Sequence, residues 1–259
     1  MVLAVIRHAE SIENADKYNG FYQDRRPWDG RAAHAISRNI VGLTPRGFRQ
    51  SAWLGRELAE LTGMGRLRVL TSTCRRSIDT ADVAFTAWPG QCERTPLLDE
   101  QHYGDATYPD GADGRRQRKH LWVPPGGGES LAGGVMDRAR RFVDLAQAAV
   151  CGGQTVVAVT HHTTILALRC LLEDRPLTDV VDGARRAKTP NAGIYRYQLA
   201  DGRFEPIGSA APPLDLGRST KGRARRWGVC CSSTGRSTTA ASRSPAVRAR
   251  PPAYGWRPR

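Results

Sequence analysis

Residues 1–11 read MVLAVIRHAES, and in this stretch a run of apolar side chains ends at the charged pair Arg7 and His8. The apolar part, Val2–Ile6, is typical of a short buried strand. A second run, TVVAVT at residues 155–160, ends in the same way at His161. The two runs predict strands of one parallel sheet, each with a histidine at its carboxyl end.

The residues between these two runs alternate between strand-like and helical patterns. Thr44 and Pro45 predict an N-cap and a first helical turn, and the helix should stop at Gly63. Further elements are predicted as a strand at Leu67–Thr71, helices at Arg75–Ala87, 131–149 and 165–172, and a closing hairpin of Asn191–Tyr197 with Gly202–Ile207. This alternation predicts an α/β fold built from βαβ units on a mainly parallel sheet.

The predicted strand ends also deliver arginines. The segment TSTCRRSIDTA, residues 71–81, follows the strand Leu67–Thr71 and places Arg75 and Arg76 at the start of a helix. Because the carboxyl ends of parallel strands share one edge of the sheet, we expect both histidines and this arginine pair to converge. Backbone N–H groups at the helix start add to the positive potential. The expected crevice suits a phosphoryl dianion.

The positive charge of the chain is concentrated in its last part. Residues 206–259 hold 11 lysines and arginines against one acidic residue, Asp215, so +10 of the net charge of +14 lies there. This segment has no apolar periodicity and is rich in Arg, Ser, Pro and Ala, which predicts a disordered basic tail after one folded domain at residues 1–205. Nucleic-acid binding is not expected, except through this tail.

Other classes of protein are disfavoured by composition. The longest apolar runs fall short of the roughly 18 residues of a membrane span, and residues 1–6 lack the basic flank of a signal peptide, so we expect no membrane contact and a cytoplasmic location. The six cysteines show no CxxC spacing, and the pair His161-His162 lacks the spacing of a zinc motif. We therefore expect no disulfide framework and no metal site. The oligomeric state is not indicated.

Six short motifs, in order across residues 1 to 175, resemble those of the histidine phosphatase superfamily, which includes the phosphoglycerate mutases. RHAES resembles the RHG[EQ] signature, and TSTCRRSIDTA resembles the family's TSxLxRAxxTA segment. The other similar segments are LTPRGFRQ (43–50), LDEQHYGD (98–105), GGGES (126–130) and VTHHTTI (159–165). The resemblance implies a three-layer α/β/α sandwich, as in the phosphoglycerate mutases.

The resemblance also implies a site. Its catalytic residues are identified by motif position as His8, Arg7, Arg76, Glu100 and His161, and its substrate-binding residues as Ser11, Asn14, Tyr103 and His162. In the implied reaction His8 is the nucleophile and becomes phosphorylated, while the two arginines and His161 hold the phosphoryl oxygens. Glu100 passes a proton to the departing alcohol, and neither metal nor organic cofactor takes part.

The sequence departs from the family pattern at two positions. Ala9 and His162 stand where the RHG and HG motifs have glycine.

Three functions stay open. The favoured function is a phosphomonoesterase that hydrolyses a small phosphorylated metabolite through a phosphohistidine. The alternatives are a phosphoglycerate mutase-type phosphotransferase, which needs an ordered lid to exclude water, and a non-catalytic protein that binds phosphate or polyanions.

Overall fold

The computed structural model describes residues 1–16, 38–62, 66–104 and 120–214. At the centre of these residues lies a six-stranded sheet. The strands are β1 (Val2–Arg7), β2 (Leu67–Thr71), β3 (Glu93–Arg94), β4 (Thr155–Thr160), β5 (Ile194–Ala200) and β6 (Arg203–Ala210). Their order is β3-β2-β4-β1-β5-β6. Strands β1 to β4 are mutually parallel, and β5 is antiparallel to both of its neighbours, β1 and β6. The predicted mainly parallel sheet is confirmed.

Helices occupy the connections between the strands. In the described residues they are α1 (Ile12–Asp16), α2 (Pro45–Glu57), α3 (Ala59–Thr62), α4 (Arg75–Ala84), α5 (Met136–Cys151), α6 (His162–Leu172) and α7 (Leu177–Arg186). The predicted cap at Thr44 is present, since its side chain accepts a hydrogen bond from the Gly47 amide at 3.0 Å. The helix predicted to reach Gly63 is interrupted at Leu58, which separates α2 from α3.

The two faces of the sheet are both covered by helices. Along β1, Leu3 and Val5 join the core beneath α5, α6 and α7, whereas Ala4 and Ile6 join the core beneath α2 and α4. Because side chains alternate between the faces of a strand, burial of both faces requires a continuous apolar run. The apolar runs at residues 2–6 and 155–160 therefore follow from their central positions, and the α/β/α sandwich is confirmed.

The closing hairpin differs from its predicted bounds. β5 begins at Ile194 rather than Asn191, and β6 continues to Ala210, five residues past the domain boundary that was predicted at 205. The cause is continued antiparallel pairing, in which Ile194 lies opposite Ala210. Residues 215–259 lie outside the described residues, so the basic tail stays a prediction. No helix among the described residues is long and apolar enough to cross a membrane.

Candidate active site

Two neighbouring strands deliver the two histidines to one edge of the sheet. β1 pairs with β4 so that Arg7 lies beside Thr160, and the next residue of each strand is a histidine, His8 or His161. The two imidazole rings have centroids 5.0 Å apart and an interplanar angle of 56°. Both rings are buried, with His8 3% and His161 0% exposed. The convergence expected from the strand ends is thus present.

The hydrogen bonds of His8 define which ring nitrogen carries a proton. Nδ1 lies 2.7 Å from the carbonyl oxygen of Ala9, which can only accept, so Nδ1 donates. Nε2 accepts from the Nε–H of Arg76 at 3.3 Å. Burial lowers the pKa of His8 well below 6.5, and the charges of Arg76 and Arg7 lower it further. His8 is therefore a neutral imidazole with its lone pair at Nε2.

Arg7 presents a buried guanidinium next to this ring. One of its terminal nitrogens donates to the Thr189 carbonyl at 2.5 Å, while Nε, also buried, has no hydrogen-bond partner in the described residues. Burial lowers the pKa of Arg7 to about 10, although the nearby Glu100 carboxylate opposes this shift. The group stays charged at neutral pH, and its Nε–H is available to an anion.

The two arginines at the start of α4 have different environments. Arg76 is 5% exposed, bonds His8 and lies 3.6 Å from a carboxylate oxygen of Glu13. Arg75 turns outward and forms an exposed ion pair with Asp79 at 2.6 Å. Only Arg76 of the pair therefore joins the site.

His161 is held by two serine hydroxyls. Its Nε2 lies 2.7 Å from Oγ of Ser72 and 3.2 Å from Oγ of Ser77. Burial lowers the pKa of His161 well below 6.5, with Arg76 and His8 adding to the effect, so the ring is neutral. When a serine donates to Nε2, the proton of the neutral ring resides on Nδ1. Nδ1 is buried and has no partner among the described residues.

The unsatisfied atoms indicate where a ligand binds. A buried donor without a partner costs on the order of 1–3 kcal/mol. Arg7 and His161 each have one buried nitrogen without a partner in the described residues, Nε and Nδ1, and the His161 ring lies 5.0 Å from the His8 ring, centroid to centroid. An anion with several acceptor oxygens would satisfy both donors. No group of three or more His, Cys, Asp or Glu side chains within the described ranges is placed to hold a metal ion.

The predicted acid, Glu100, lies on a loop that is fixed at its start. The preceding residue, Asp99, accepts from the amide of Thr73 at 2.7 Å and from its hydroxyl. The Asp99 carbonyl accepts from the Thr164 hydroxyl at 2.6 Å and from Arg138 at 3.1 Å. Glu100 is half-buried and close enough to Arg7 to affect its pKa. The loop thus holds a carboxyl group near the buried guanidinium of Arg7.

The GGGES motif supports the same loop. Its Glu129 accepts from the His102 amide at 3.0 Å and forms an ion pair with Arg138 at 2.6 Å. Beyond it, the predicted substrate-side residue Tyr103 packs near Trp122, with ring centroids 6.3 Å apart. The role of Tyr103 in substrate binding stays a prediction.

Three further predicted substrate-binding residues take up different positions. Ser11 is buried and caps α1, since its hydroxyl accepts from the Asn14 amide at 3.2 Å. Asn14 is half-buried and meets Asn191 at 2.8 Å. His162 is half-buried at the first position of α6, directly after His161. Ala9 avoids a left-handed φ and donates its amide to Thr80 at 3.0 Å, so alanine is accommodated without strain there.

Sequence reasoning did not single out several residues of this site. They are Ser72, Ser77 and Asn191, together with Glu13, whose carboxylate lies beside Arg76. Ser72 belongs to the quoted segment TSTCRRSIDTA and Glu13 precedes Asn14, so both lay within reach of a motif. Asn191 was placed in a strand, and only the three-dimensional contact reveals its position beside His8.

Comparisons with known proteins give one family and a consistent fold. The family model described as histidine phosphatase superfamily (branch 1) matches residues 3–208. A comparison with curated proteins finds no match.

Three solved structures illustrate the fold. A putative alpha-ribazole-5'-P phosphatase from Escherichia coli K-12 is 19% identical, with 80% of this chain and 94% of that one covered and a TM-score of 0.60. A mycobacterial glucosyl-3-phosphoglycerate phosphatase complexed with VO3 is 22% identical, with 79% and 96% covered and a TM-score of 0.59. A phosphoserine phosphatase from Entamoeba histolytica, complexed with phosphoserine, is 16% identical, with 80% and 95% covered and a TM-score of 0.58.

Proposed function

Because the chain belongs to the histidine phosphatase superfamily, we propose that it is a phosphomonoesterase that hydrolyses a small phosphorylated metabolite through a phosphohistidine at His8. One observation carries this proposal: the buried, neutral His8 ring directs an unprotonated Nε2 toward the Arg76 guanidinium, and the charge of Arg7 is near enough to lower the pKa of the same ring. A phosphomonoester needs its charge neutralised before a nucleophile can approach, and these groups provide both functions side by side.

In the binding step, the phosphoryl group occupies the space beside His8 Nε2. Its oxygens accept from Nε of Arg7 and Nδ1 of His161, both of which are buried and lack a hydrogen-bond partner in the described residues. Arg76, which contacts Nε2 in the free protein, adds a second planar guanidinium. These donors are held in place before the substrate arrives, so little reorganisation is needed as charge moves onto the phosphoryl oxygens.

In the first chemical step, the Nε2 lone pair forms a bond to phosphorus as the bond to the ester oxygen breaks. The ring gains positive charge, and its Nδ1–H remains bonded to the Ala9 carbonyl, which stabilises that charge. The departing alkoxide needs a proton, and Glu100 is proposed to donate it. The products of this step are the free alcohol and phosphohistidine.

In the second step, water replaces the alcohol. The Glu100 carboxylate accepts a proton from water while the water oxygen attacks phosphorus. The Nε2–phosphorus bond breaks, and the electron pair of that bond returns to the His8 ring. Inorganic phosphate leaves, and Glu100 is again protonated. One residue thus serves as acid and then as base, so that every proton is accounted for over the cycle.

The names of the structural neighbours support hydrolysis of small phosphate esters. Their named activities concern phosphoserine, glucosyl-3-phosphoglycerate and alpha-ribazole-5'-P, which belong to different chemical classes and share a phosphomonoester. We therefore extend to this chain only the shared element, a small phosphorylated compound whose phosphate enters the His8 site.

The proposal is tested by measuring phosphate release from a panel of sugar phosphates, phosphoamino acids, phosphoglycerates and nucleotides. The unmodified protein should release phosphate from at least one of these esters, and the His8→Ala variant should release none. Incubation with 3-phosphoglycerate, with and without 2,3-bisphosphoglycerate, separates hydrolysis from transfer. Sustained isomerisation without phosphate release would reject the phosphatase in favour of the mutase.

A further inference from the structure

We infer that Asn191 is a positioning residue that fixes the amide of Asn14 so that its NH2 group is presented to the phosphoryl group. This inference rests on the proposed function of the site. It concerns a residue 183 positions from His8 along the chain that contacts His8 and Asn14 directly.

The segment that contains Asn191 forms backbone hydrogen bonds with the end of β1. The Arg7 amide donates to the Gly193 carbonyl at 3.0 Å, and the Ala192 amide donates to the His8 carbonyl at 3.2 Å. Ala192 has a φ of 56°, a left-handed conformation that is uncommon for a residue with a side chain. The turn is held in this conformation by contacts with the strand that carries the nucleophile, and it leaves the Asn191 side chain directed at His8.

The orientation of the Asn191 amide follows from its partners. One of its side-chain atoms lies 3.1 Å from the His8 carbonyl oxygen, which can only accept, so that atom is Nδ2. The same Nδ2 lies 2.8 Å from the side chain of Asn14. An amide nitrogen has two hydrogens and no acceptor capacity, so the Asn14 atom that faces it is Oδ1.

The orientation of Asn14 is thereby determined in turn. Its Oδ1 accepts from Asn191 at 2.8 Å and is also 3.4 Å from the Ser11 amide, a second donor. With Oδ1 occupied by two donors, the opposite end of the amide is Nδ2, and it makes no hydrogen bond with the residues that the structure describes. Within the described residues, Asn14 thus keeps both N–H groups of Nδ2 available, and its neighbour Asn191 also contacts the His8 carbonyl. Such a pair of donors suits a phosphoryl oxygen and excludes a donor ligand.

Substitution of Asn191 has an unambiguous chemical consequence. A carboxylate at this position would face two acceptors, the His8 carbonyl and Asn14 Oδ1, and the amide of Asn14 would have to turn over to avoid it. Its oxygen would then point at the phosphoryl group. Alanine removes the donor without adding charge and leaves Asn14 free to rotate.

The test is a double-mutant cycle on the full chain. Asn191→Ala should lower kcat/KM about tenfold and raise the inhibition constant of inorganic phosphate by a similar factor, and the isosteric Asn191→Asp should cost more. In an Asn14→Ala background, the same Asn191→Ala change should cost less than about threefold, because the group it positions is gone. Asn39→Ala, at an exposed asparagine, is the control and should keep wild-type values.

An equal loss in both backgrounds would overturn the inference, since Asn191 would then act on the fold and not through Asn14. No loss in the wild-type background would overturn it as well. Failure of the proposed function is a separate result: the unmodified chain would release no phosphate from any ester. In that event the cycle is measured by calorimetry, as the Kd of inorganic phosphate for the unmodified chain, the two single variants and the double variant. If Asn191→Ala weakens phosphate binding equally in both backgrounds, the inference is wrong.

Discussion

Nε of Arg76 donates a hydrogen bond to Nε2 of His8 across 3.3 Å. Because arginine has no acceptor, this bond exists only while Nε2 carries a lone pair, so the contact itself reports the protonation state of His8. The proposed nucleophile and one of the two arginines proposed to bind phosphate are therefore in direct contact. In the proposed reaction, a phosphoryl group that binds between them exchanges this bond for stronger bonds to charged oxygens.

The adjacent arginines offer a matched pair of substitutions. Arg76→Ala should lower kcat/KM by about 100- to 1000-fold, because a buried guanidinium that neutralises the phosphoryl group is lost. Arg75→Ala should change kcat/KM less than about twofold, since Arg75 is exposed and bonded to Asp79. Steady-state kinetics of both variants with the best ester of the panel provide the comparison. Equal losses would show that position in the helix, and not contact with His8, determines the effect.

Ser72 should affect the reaction through His161. Its hydroxyl lies 2.7 Å from Nε2 of that ring. In the proposed site the hydroxyl donates to Nε2, which keeps the proton on Nδ1, where a phosphoryl oxygen can accept it. Ser72→Ala should lower kcat about tenfold in the wild-type background and have little effect once His161→Ala is present. A Ser72→Ala loss that persists undiminished in the His161→Ala protein would contradict this coupling.

Glu100 is tested by the dependence on the leaving group. An acid is needed when the departing alcohol is strongly basic and is nearly dispensable when it is p-nitrophenolate. Glu100→Gln should therefore reduce the rate with an alkyl phosphate by about 100-fold or more and reduce the rate with p-nitrophenyl phosphate much less. Glu13→Gln, which removes the carboxylate beside Arg76, should affect both esters alike. A leaving-group dependence confined to the Glu13 variant would transfer the acid role to Glu13.

The two buried histidines should make stability depend on pH. Burial keeps the pKa of His8 and His161 well below 6.5 in the folded chain, whereas both titrate near 6.5 when unfolded. As pH falls below 6.5 the unfolded chain takes up protons that the folded chain does not, so stability decreases. The limiting slope is about 1.4 kcal/mol per pH unit for each histidine.

Above about pH 7.5 these two residues should contribute no pH dependence. Denaturant unfolding between pH 5.5 and 7.5 measures the slope, and His161→Gln should remove about half of the part due to the pair. A slope unaffected by both His161→Gln and His8→Gln would show that these rings titrate normally in the folded chain.

Much of the fold and the centre of the site were predictable because they depend on local patterns. A strand buried on both faces needs a largely apolar run, so residues 2–6 and 156–159 could be recognised, and the histidines that follow the two strands mark the sheet edge. Thr44 caps its helix through a contact with Gly47, three residues away. The family was identifiable for a similar reason, since its motifs are short and their order is preserved.

The remaining features depend on contacts between distant segments. Asn191 contacts Asn14, which lies 177 positions earlier in the chain. The left-handed residue of the turn, Ala192, is not a glycine, so its conformation could not be predicted from its residue type. The pairing of Ser72 with His161 likewise requires β2 and β4 to be neighbours, an order that no single stretch of sequence encodes. The extension of β6 to Ala210 was missed because its exposed edge carries polar and small residues that resemble those of the following tail.

The central claim is that His8 becomes phosphorylated. Rapid acid-free quenching of the protein with a good ester, followed by peptide mass mapping under alkaline conditions, measures this directly. We predict an acid-labile phosphoryl group on the peptide that contains His8, formed within one turnover and absent from His8→Ala. The account would be contradicted if the unmodified protein released phosphate while no phosphorylated peptide formed before steady state. It would also be contradicted if the phosphoryl group were found on a different residue.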